Sequence, residues 1–405
     1  MVLEVVTSRQ TGAVDRDDDS GLPSAQRDRM QIRAVKFAAL SGEEIDAWSE
    51  LQRRYAEFAS PFFRPEFSAL LAECQPNVEV AVLRRAGRCV GFWPFQRARG
   101  NVARADGHPL RSYEGVVCHP SIAWSPEELL EGCRLSAWKF DHLLLSHASM
   151  QRFRWSLSTC PVIDLSPLRE SYLHRKTKEH SHTIELMIRR KRRAERELGP
   201  VRLVPDSRDD RVVDTIIEWK RAQFQRIRSV DHLAPPWRRA FVKRIAAFQS
   251  EHFSGMTCAL YAGKHLMAAH LGLRSGGVLH GWLPVYNRSF HRYSPGIMMW
   301  ALLAELAPDL GVTRIDLGKG PEHYKDRLKT GDITVAQGVV DRRFGRHALR
   351  MSWRRIRRAI MASPLGYSLR KTLYACRAVR GYEVHDCDVR WSHTDDGEAG
   401  VADGG

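Results

Sequence analysis

The sequence predicts an α/β protein whose mixed sheet is built in two similar halves. A chain of 405 residues is long for one domain and comfortable for two, and a hydrophobic fraction of 43% is enough for packed cores. Helical periods alternate along the chain with short apolar runs. A strand, a glycine turn and a longer strand occur at 81–95 (AVLRRAGRCVGFWPF) and again at 259–273 (ALYAGKHLMAAHLGL), which indicates a structural repeat.

The first half begins after a polar, acid-rich leader over 1–28, which is expected to be disordered. Two helical periods come first, followed by a hairpin that turns at Gly87 and by two short buried strands. The predicted helices are Ile45–Phe58 and Pro65–Cys74, and the predicted strands are Val78–Leu83, Cys89–Gln96, His142–Ser146 and Val162–Leu165.

The second half repeats this order after a basic segment over 187–198, which reads as a solvated connecting helix or as a phosphate-binding one. A helix is predicted over Trp237–Phe248. A hairpin then turns at Gly263, and a further strand extends the sheet. These three strands are Thr257–Tyr261, His265–Leu273 and Val278–Leu283.

The most informative stretch runs from Tyr293 to Lys325. Ser294 is suited to cap a helix, Pro295 to occupy its first position, and Gly296 leaves the backbone behind them exposed. Such an end presents free N–H groups to an anion. An apolar face over 297–306 continues the helix, and Gly311 ends it. A short strand over 313–317 then carries Asp316 to its carboxyl end, before a turn over 318–320 and a second helix.

These residues carry a family resemblance. The Ser294-Pro295-Gly296 helix start, Gly311, Asp316, Gly320 and the Tyr324-Lys325 pair resemble the C-terminal half of the CelD-like acetyltransferases, which are linked to bacterial cellulose biosynthesis. That family belongs to the GNAT superfamily, the Gcn5-related N-acetyltransferases. The chain is also similar to the FemAB-type transferases, which carry two GNAT folds. The resemblance is strong over roughly 185–340, weaker over 30–165 and absent at both ends.

The resemblance implies a tandem GNAT acyl-CoA N-acyltransferase fold, with halves at 30–168 and 169–341. In such a fold acyl-CoA, here expected to be acetyl-CoA, lies where two parallel strands splay apart, which corresponds to Val278–Leu283 and the strand over 313–317. Its pyrophosphate rests on the next helix start, so the implied cofactor-binding residues are Ser294, Pro295, Gly296, Ile297 and Arg292. The loop before this helix lacks the glycine-rich signature of single-domain GNATs.

Acyl transfer to an amine needs a group that accepts the amine proton and one that assists the departing thiolate. The candidate bases are Asp316, His280, Glu322 and His323, and Asp316 could instead cap its turn or pair with a lysine. The resemblance implies that Tyr324 protonates the thiolate. The candidate substrate-binding residues are Lys325, which the family's Tyr-Lys pair contains, and Trp282, which alternates with His280 along its strand.

Charge and composition limit the kinds of binding partner that the sequence predicts. The net charge of +16 favours an anionic partner or reflects an arginine-rich composition. The segment Arg342–Arg380 predicts a basic amphipathic helix, for an anionic membrane surface or for packing on the domain. We expect this helical extension to cover 342–391 and a disordered tail to follow over 392–405. No motif for RNA recognition is present, so nucleic acid is an unexpected partner.

The sequence does not indicate a disulfide-rich, metal-binding, membrane-spanning or secreted protein. The eight cysteines are scattered without a CxxC pair, so no disulfide framework or metal site is expected. No apolar run is long enough to span a membrane, and the first residues lack the order of a signal peptide. We therefore expect a cytoplasmic protein that could associate peripherally with the inner membrane face.

The function expected from these observations is transfer of an acyl group from acyl-CoA to an amino group of a sugar or of a cell-surface polysaccharide precursor. Two alternatives stay open. One is an aminoacyl-tRNA-dependent transferase of the FemAB type, for which the basic surface would bind tRNA. The other is a non-catalytic accessory protein of a polysaccharide synthase.

Overall fold

The computed structural model describes residues 30–166, 171–179, 181–320 and 323–343. The expected leader over 1–28, the tail over 392–405 and all of the basic extension except Arg342 and Arg343 lie outside these residues. Glu322, one of the candidate bases, also lies outside them, as does the side chain of His323.

The first half consists of strands β1 to β7 and helices α1 to α3. The strands are β1 (Gln31–Lys36), β2 (Val78–Arg85), β3 (Arg88–Ala98), β4 (Val102–Ala105), β5 (Val117–Cys118), β6 (Ala137–Leu144) and β7 (Arg154–Asp164). The helices are α1 (Gly42–Arg54), α2 (Pro65–Ala72) and α3 (Pro126–Gly132). The predicted β2–β3 hairpin is confirmed, and Gly87 turns it with a φ of 75° that a glycine adopts without strain.

The second half carries the remaining elements. Its helices are α4 (Tyr172–Lys178), α5 (His182–Leu198), α6 (Asp210–Arg226), α7 (Pro236–Ala247), α8 (Pro295–Leu306) and α9 (His323–Leu328). Its strands are β8 (Val201–Val204), β9 (Ser254–Ala262), β10 (His265–Ser275), β11 (Val278–Tyr286), β12 (Arg314–Asp316) and β13 (Gly331–Asp341).

All strands of the described residues join one mixed sheet of thirteen strands. Its order is β1-β2-β3-β4-β6-β13-β7-β12-β11-β10-β9-β8, with β5 beside β3. The β11–β12 and β4–β6 pairs are parallel, and the other named pairs are antiparallel. Strand β13 lies between β6 and β7 of the first half, and β7 pairs in turn with β12 of the second half. The two halves therefore share a continuous backbone hydrogen-bond network.

Apolar side chains cover both faces of this sheet. One cluster crosses the boundary between the halves, because α1 and α2 of the first half pack beside α6 and α7 of the second. Phe67 on α2 meets Phe241 on α7 edge to face, with ring centroids 5.4 Å apart. A second cluster lies under α4, α5 and α8, and a third lies under α3. The architecture confirms the mixed α/β prediction.

Helix α1 differs from the predicted Ile45–Phe58 at both ends. It begins at Gly42 because Ser41 and Glu44 form a reciprocal capping box, a signal that apolar periodicity does not detect. It ends at Arg54 because Tyr55 is extended, with a φ of −114°. Residues Ala56–Phe58 then form a separate turn of 3₁₀ helix.

Candidate functional site

The candidate site begins where β11 and β12 stop pairing. They run parallel over three residue pairs, and the last joins His280 to Asp316. Strand β11 continues to Tyr286, whereas Leu317 donates its N–H to Pro161 O of β7, 2.9 Å away. The β10–β11 register also shifts so that Trp282 faces no residue of β10. The two parallel strands therefore diverge beyond His280 and Asp316, as the family resemblance implies.

Helix α8 begins beside the end of β11, beyond this divergence. Pro295 occupies its first position, as predicted, but Ser294 does not cap it with its side chain. Ser294 adopts a left-handed backbone with a φ of 51°, and its hydroxyl instead accepts a hydrogen bond from the Arg190 guanidinium of α5. The prediction of a Ser294 side-chain cap is therefore wrong. A non-glycine residue in this conformation is uncommon and is often found at functional positions.

Gly296 leaves an open surface at this helix start. A Cβ built there would meet only the Tyr286 ring, at 3.8 Å, so packing within the chain does not require glycine. The ring of Tyr286 is 41% exposed at the end of β11. Ile297, the next predicted contact, is partly buried against the core beneath α8. The first N–H groups of the helix therefore border an accessible surface.

Arg292, the cation predicted at this helix start, is already paired within the chain, and Arg190 lies nearby. Arg292 is exposed, but Glu197 of α5 holds its guanidinium at 2.9 Å and also accepts from the Tyr293 hydroxyl at 2.5 Å. Arg190 is half-buried and contacts the residue that precedes the helix. The sequence marks α5 as basic without showing which face meets α8. For this reason the sequence alone does not predict Arg190 or Tyr286 as site residues.

His280 and Asp316 form the buried part of the site. His280 is 1% exposed and Asp316 is fully buried. The His280 Nδ1 atom lies 3.8 Å from Asp316 Oδ2, which is too long for a hydrogen bond, while Asp316 Oδ1 accepts from Arg314 Nε at 2.9 Å. Burial lowers the pKa of His280, and the Asp316 carboxylate opposes that shift only in part. The imidazole is therefore neutral near pH 7.

A loop from the first half closes over these residues. His280 Nε2 lies 3.1 Å from Ser112 Oγ. The Trp282 indole N–H donates to Leu110 O at 2.6 Å, and Arg111 Nε donates to Tyr113 O at 2.7 Å. The Trp282 side chain is thus 8% exposed and fastens the loop, whereas a role in substrate binding remains a prediction.

The turn and helix after β12 complete the surroundings. Lys325 is 5% exposed, and its Nζ donates to Gly318 O at 3.2 Å and Lys319 O at 3.3 Å. Lys319 in turn pairs with Asp141 of β6 at 2.9 Å. Tyr324 packs partly buried against the core beneath α8. Lys325 therefore stabilises the turn, and the predicted substrate role of Lys325 and catalytic role of Tyr324 stay predictions.

The described ranges contain neither a metal-binding cluster nor a membrane-spanning helix. Within them, no group of three or more His, Cys, Asp or Glu side chains is placed to hold a metal ion. No helix within them is long and apolar enough to cross a bilayer.

Comparison with known proteins identifies a domain in the second half. Residues 186–326 match the family model of the acetyltransferase (GNAT) domain. This range includes most of α5, the parallel β11–β12 pair and the start of α8. The chain therefore carries a GNAT acyltransferase domain on a mixed α/β fold. No curated protein matches the sequence, and the CelD-like assignment remains a prediction.

Several solved structures are similar at low identity. A C-terminal domain from Agrobacterium fabrum, assigned to a candidate lysylphosphatidylglycerol synthetase, is 12% identical with a TM-score of 0.47, covering 80% of this chain and 98% of that one. FemX is 10% identical with a TM-score of 0.47, covering 71% and 97%. A tandem GNAT protein from the clavulanic acid biosynthesis pathway is 12% identical with a TM-score of 0.45, covering 78% and 99%.

Proposed function

We propose that this GNAT-domain protein transfers an acetyl group from acetyl-CoA to an amino group of a sugar or of a lipid-linked saccharide. The observation that supports it most is the open helix start at Gly296, which follows β11 where that strand has parted from β12. In this proposal an extended thioester lies between the parting strands, and the helix end is suited to its phosphates. The acceptor class comes from the sequence resemblance.

The groups around the helix start fit a pyrophosphate. Free N–H groups and the helix dipole favour a negative charge at the first turn of α8. Arg190 already donates to the Ser294 hydroxyl there, and a guanidinium can bind a phosphate through two parallel hydrogen bonds. Arg292 would have to leave Glu197 to join it. The exposed Tyr286 ring adds an aromatic surface beside Gly296.

The buried side chains fit the chemistry of amine acylation. An amine loses a proton as it attacks a thioester, and a neutral imidazole can accept that proton. His280 supplies such an imidazole, and Asp316 lies beside its other nitrogen. In this proposal Tyr324 protonates the departing thiolate, and Trp282 and Lys325 line the acceptor side. No metal is required for these steps.

The cofactor assignment can be tested with Gly296→Asp. Acetyl-CoA should stabilise the wild-type protein by about 2.7 kcal/mol at a concentration of one hundred times its Kd. In Gly296→Asp this stabilisation should disappear, because a carboxylate would occupy the phosphate position. Thermal unfolding with and without acetyl-CoA, longer acyl-CoAs and nucleotides measures the effect.

Gly42→Asp is a matched control for that variant. Gly42 is also a non-strained glycine in the first turn of a helix, and a Cβ there meets nothing within 4 Å. The control should keep the full shift with acetyl-CoA. An unchanged shift in a folded Gly296→Asp variant would contradict the assignment of α8 as the phosphate site.

The net charge of +16 supports one competing proposal, a transferase that takes its acyl group from aminoacyl-tRNA. Binding to tRNA would weaken steeply as salt is raised, and acetyl-CoA would not stabilise the protein. The same thermal assay, repeated with tRNA at two salt concentrations, distinguishes the two. A non-catalytic accessory protein would show no turnover. Its complex with a polysaccharide synthase would still assemble in the Gly296→Asp variant.

We further propose that the basic segment Arg342–Arg380 attaches the protein to the anionic cytoplasmic face of a membrane. Each basic residue near such a surface contributes on the order of 1 kcal/mol, and salt screens the attraction. Leu349, Trp353, Ile356 and Ile360 share one face of the predicted helix and would supply the apolar contacts. This location would bring the site close to lipid-linked acceptors.

A further inference from the structure

Three polar side chains from the two halves form an ordered series at the site. Ser112 Oγ lies 3.1 Å from His280 Nε2, and His280 Nδ1 lies 3.8 Å from Asp316 Oδ2. A hydroxyl, an imidazole and a carboxylate in this order are the parts of a nucleophilic triad. Such triads are recognised by geometry and roles and occur on unrelated folds. The mechanism above uses His280 and Asp316 but leaves Ser112 without a role.

We propose that Ser112 is the nucleophile of a Ser112–His280–Asp316 triad that carries the acyl group as an ester between acyl-CoA and the acceptor. The inference rests on the proposed function and adds a covalent step to it. The transfer would proceed by two displacements at the acyl carbon, each assisted by His280.

The bonds and protons balance in both displacements. In the first, Ser112 Oγ bonds to the thioester carbon while its proton passes to His280 Nε2. The carbon–sulfur bond then breaks, and His280, in the role that direct transfer gives to Tyr324, passes this proton to sulfur to release CoA as a thiol. In the second, the acceptor amine attacks the ester carbon and gives its proton to His280. The carbon–oxygen bond breaks, and that proton restores the Ser112 hydroxyl.

Unsatisfied polar atoms support this assignment. Within the described part of the chain, His280 Nδ1 and Asp316 Oδ2 have no hydrogen-bond partner although both are buried. Buried polar atoms without partners are rare and call for an explanation. A shortening of the Nδ1–Oδ2 separation by about 1 Å would join them in a charge-assisted hydrogen bond as His280 takes a proton. Catalytic hydrogen bonds are often long before substrate binds.

The environment of His280 gives its ring the protonation state that the first displacement requires. Burial lowers the pKa of His280, so its ring is neutral and one nitrogen can accept a proton. The ring hydrogen is assigned to Nδ1, the nitrogen on the side of the Asp316 carboxyl group, which leaves Nε2 to accept from Ser112. Arg314 Nε donates to Asp316 Oδ1 at 2.9 Å and fixes the direction of the carboxylate.

The loop that carries Ser112 is held on both sides. Leu110 O accepts from the Trp282 indole, and Tyr113 O accepts from Arg111 Nε. Arg111 is itself buried and donates to Asp106 and to Phe62 O. Ser112 remains partly exposed between these fixed neighbours. The nucleophile is thus accessible while its base and carboxylate are buried, which favours catalysis by preorganisation.

The nearby thiol does not offer the same chemistry. Cys160 on β7 is fully buried, and burial raises its pKa to about 12, so it stays protonated and is a poor nucleophile. The remaining interpretation of Ser112 is a hydrogen bond that only ties the halves together. That interpretation predicts a small loss of stability in Ser112→Ala and no change in chemistry.

Acyl-enzyme formation tests the proposal. The full chain is mixed with acetyl-CoA without acceptor, quenched in acid, and examined by intact mass and peptide mapping, while released CoA is followed in time. We expect one acetyl group on the peptide containing Ser112, or steady CoA release by hydrolysis. Ser112→Ala should abolish both and lower kcat/KM with acceptor at least about a hundredfold. Ser112→Cys should retain an acyl-enzyme, since a thiol can replace the hydroxyl.

Ser156→Ala is the matched control, because Ser156 Oγ donates to Gln337 across β7 and β13 at 3.1 Å, away from the site. It should behave as wild type. If wild type transfers acetyl groups and Ser112→Ala keeps its kcat/KM, the triad is overturned and the acyltransferase assignment stands. If acetyl-CoA neither stabilises nor reacts with the wild-type protein, the proposed function fails and the triad fails with it.

Discussion

Two buried histidines outside the proposed triad make the fold sensitive to acid. Burial lowers the pKa of His147 to about 4, with the Arg154 charge adding to the shift. Burial likewise lowers the pKa of His270 to about 3, and His280 and Lys220 contribute. Val116 N donates to His147 Nε2 at 3.1 Å, a contact that protonation would abolish. Both rings are therefore neutral in the folded state.

The sign of the pH effect follows from these shifts. A histidine whose folded pKa lies below the ordinary 6.5 binds its proton mainly in the unfolded state. The contribution of these two histidines to the free energy of unfolding is therefore fully present above about pH 6.5 and is lost as the pH decreases towards 4 and 3. Each unit of pH in that range should cost about 1.4 kcal/mol for each histidine. Denaturant unfolding at pH 7, 6 and 5 measures the slope.

His270→Phe should reduce that slope. Neither ring nitrogen of His270 has a partner among the described residues, and the ring already packs 4.6 Å from Trp300. An apolar ring therefore loses no hydrogen bond there. Exposed His174→Asn serves as control and should leave the slope unchanged. An identical pH dependence in His270→Phe would show that His270 titrates normally in the folded protein.

Local sequence patterns predict the residues at the start of α8, but they do not predict Ser112, which completes the proposed triad. Pro295, Gly296 and Asp316 stand in patterns that span a few residues, so their positions could be predicted. Ser112 meets His280 across 168 positions of sequence. That contact depends on the packing of the two halves, which no local pattern encodes. Ser294 shows the converse limit, because its tertiary contact with Arg190 replaces the local cap expected from its residue type.

At the scale of elements, α5 and α8 form the proposed phosphate site together. The sequence identified both helices and left open whether the basic one binds phosphate or is solvated. Ala194 of α5 is buried on the core side of the helix, and Arg190 lies one turn before it on the same face. Arg190 is therefore the basic residue of α5 that meets the start of α8. The basic residues on the opposite face remain solvated.

Arg190→Met should weaken acetyl-CoA binding by about tenfold or more, because a hydrogen bond to a charged group contributes about 1.5–3 kcal/mol. Calorimetric titration of the variant measures the change. Arg192→Met is the control, since Arg192 is exposed two residues further along the same helix. Equal affinities in the two variants would remove Arg190 from the site and leave the N–H groups of α8 as the phosphate ligands.

At the scale of the whole molecule, the last described strand joins the halves. Strand β13 pairs with β6 on one side and β7 on the other, so a segment of the second half completes the sheet of the first. No pattern in the sequence predicts this strand. Its alternation is broken where the register shifts near Gln337 and Gly338, and a Cβ at Gly338 would lie 2.2 Å from Phe153 O.

Two truncations test this arrangement and the proposed membrane attachment together. A chain that ends at Thr330 lacks β13, so β6 and β7 would expose unpaired backbone in the middle of the sheet. We expect it to be insoluble or to lack a cooperative unfolding transition.

A chain that ends at Arg343 keeps every described strand, so it should unfold cooperatively and retain the acetyl-CoA shift. It should no longer co-sediment with vesicles of anionic and zwitterionic lipid that the full chain binds at low salt. If the Arg343 chain is itself insoluble, Leu349, Trp353, Ile356 and Ile360 cover a surface of the domain instead of a lipid surface. The vesicle result would then be read as loss of packing, and the membrane proposal would be withdrawn.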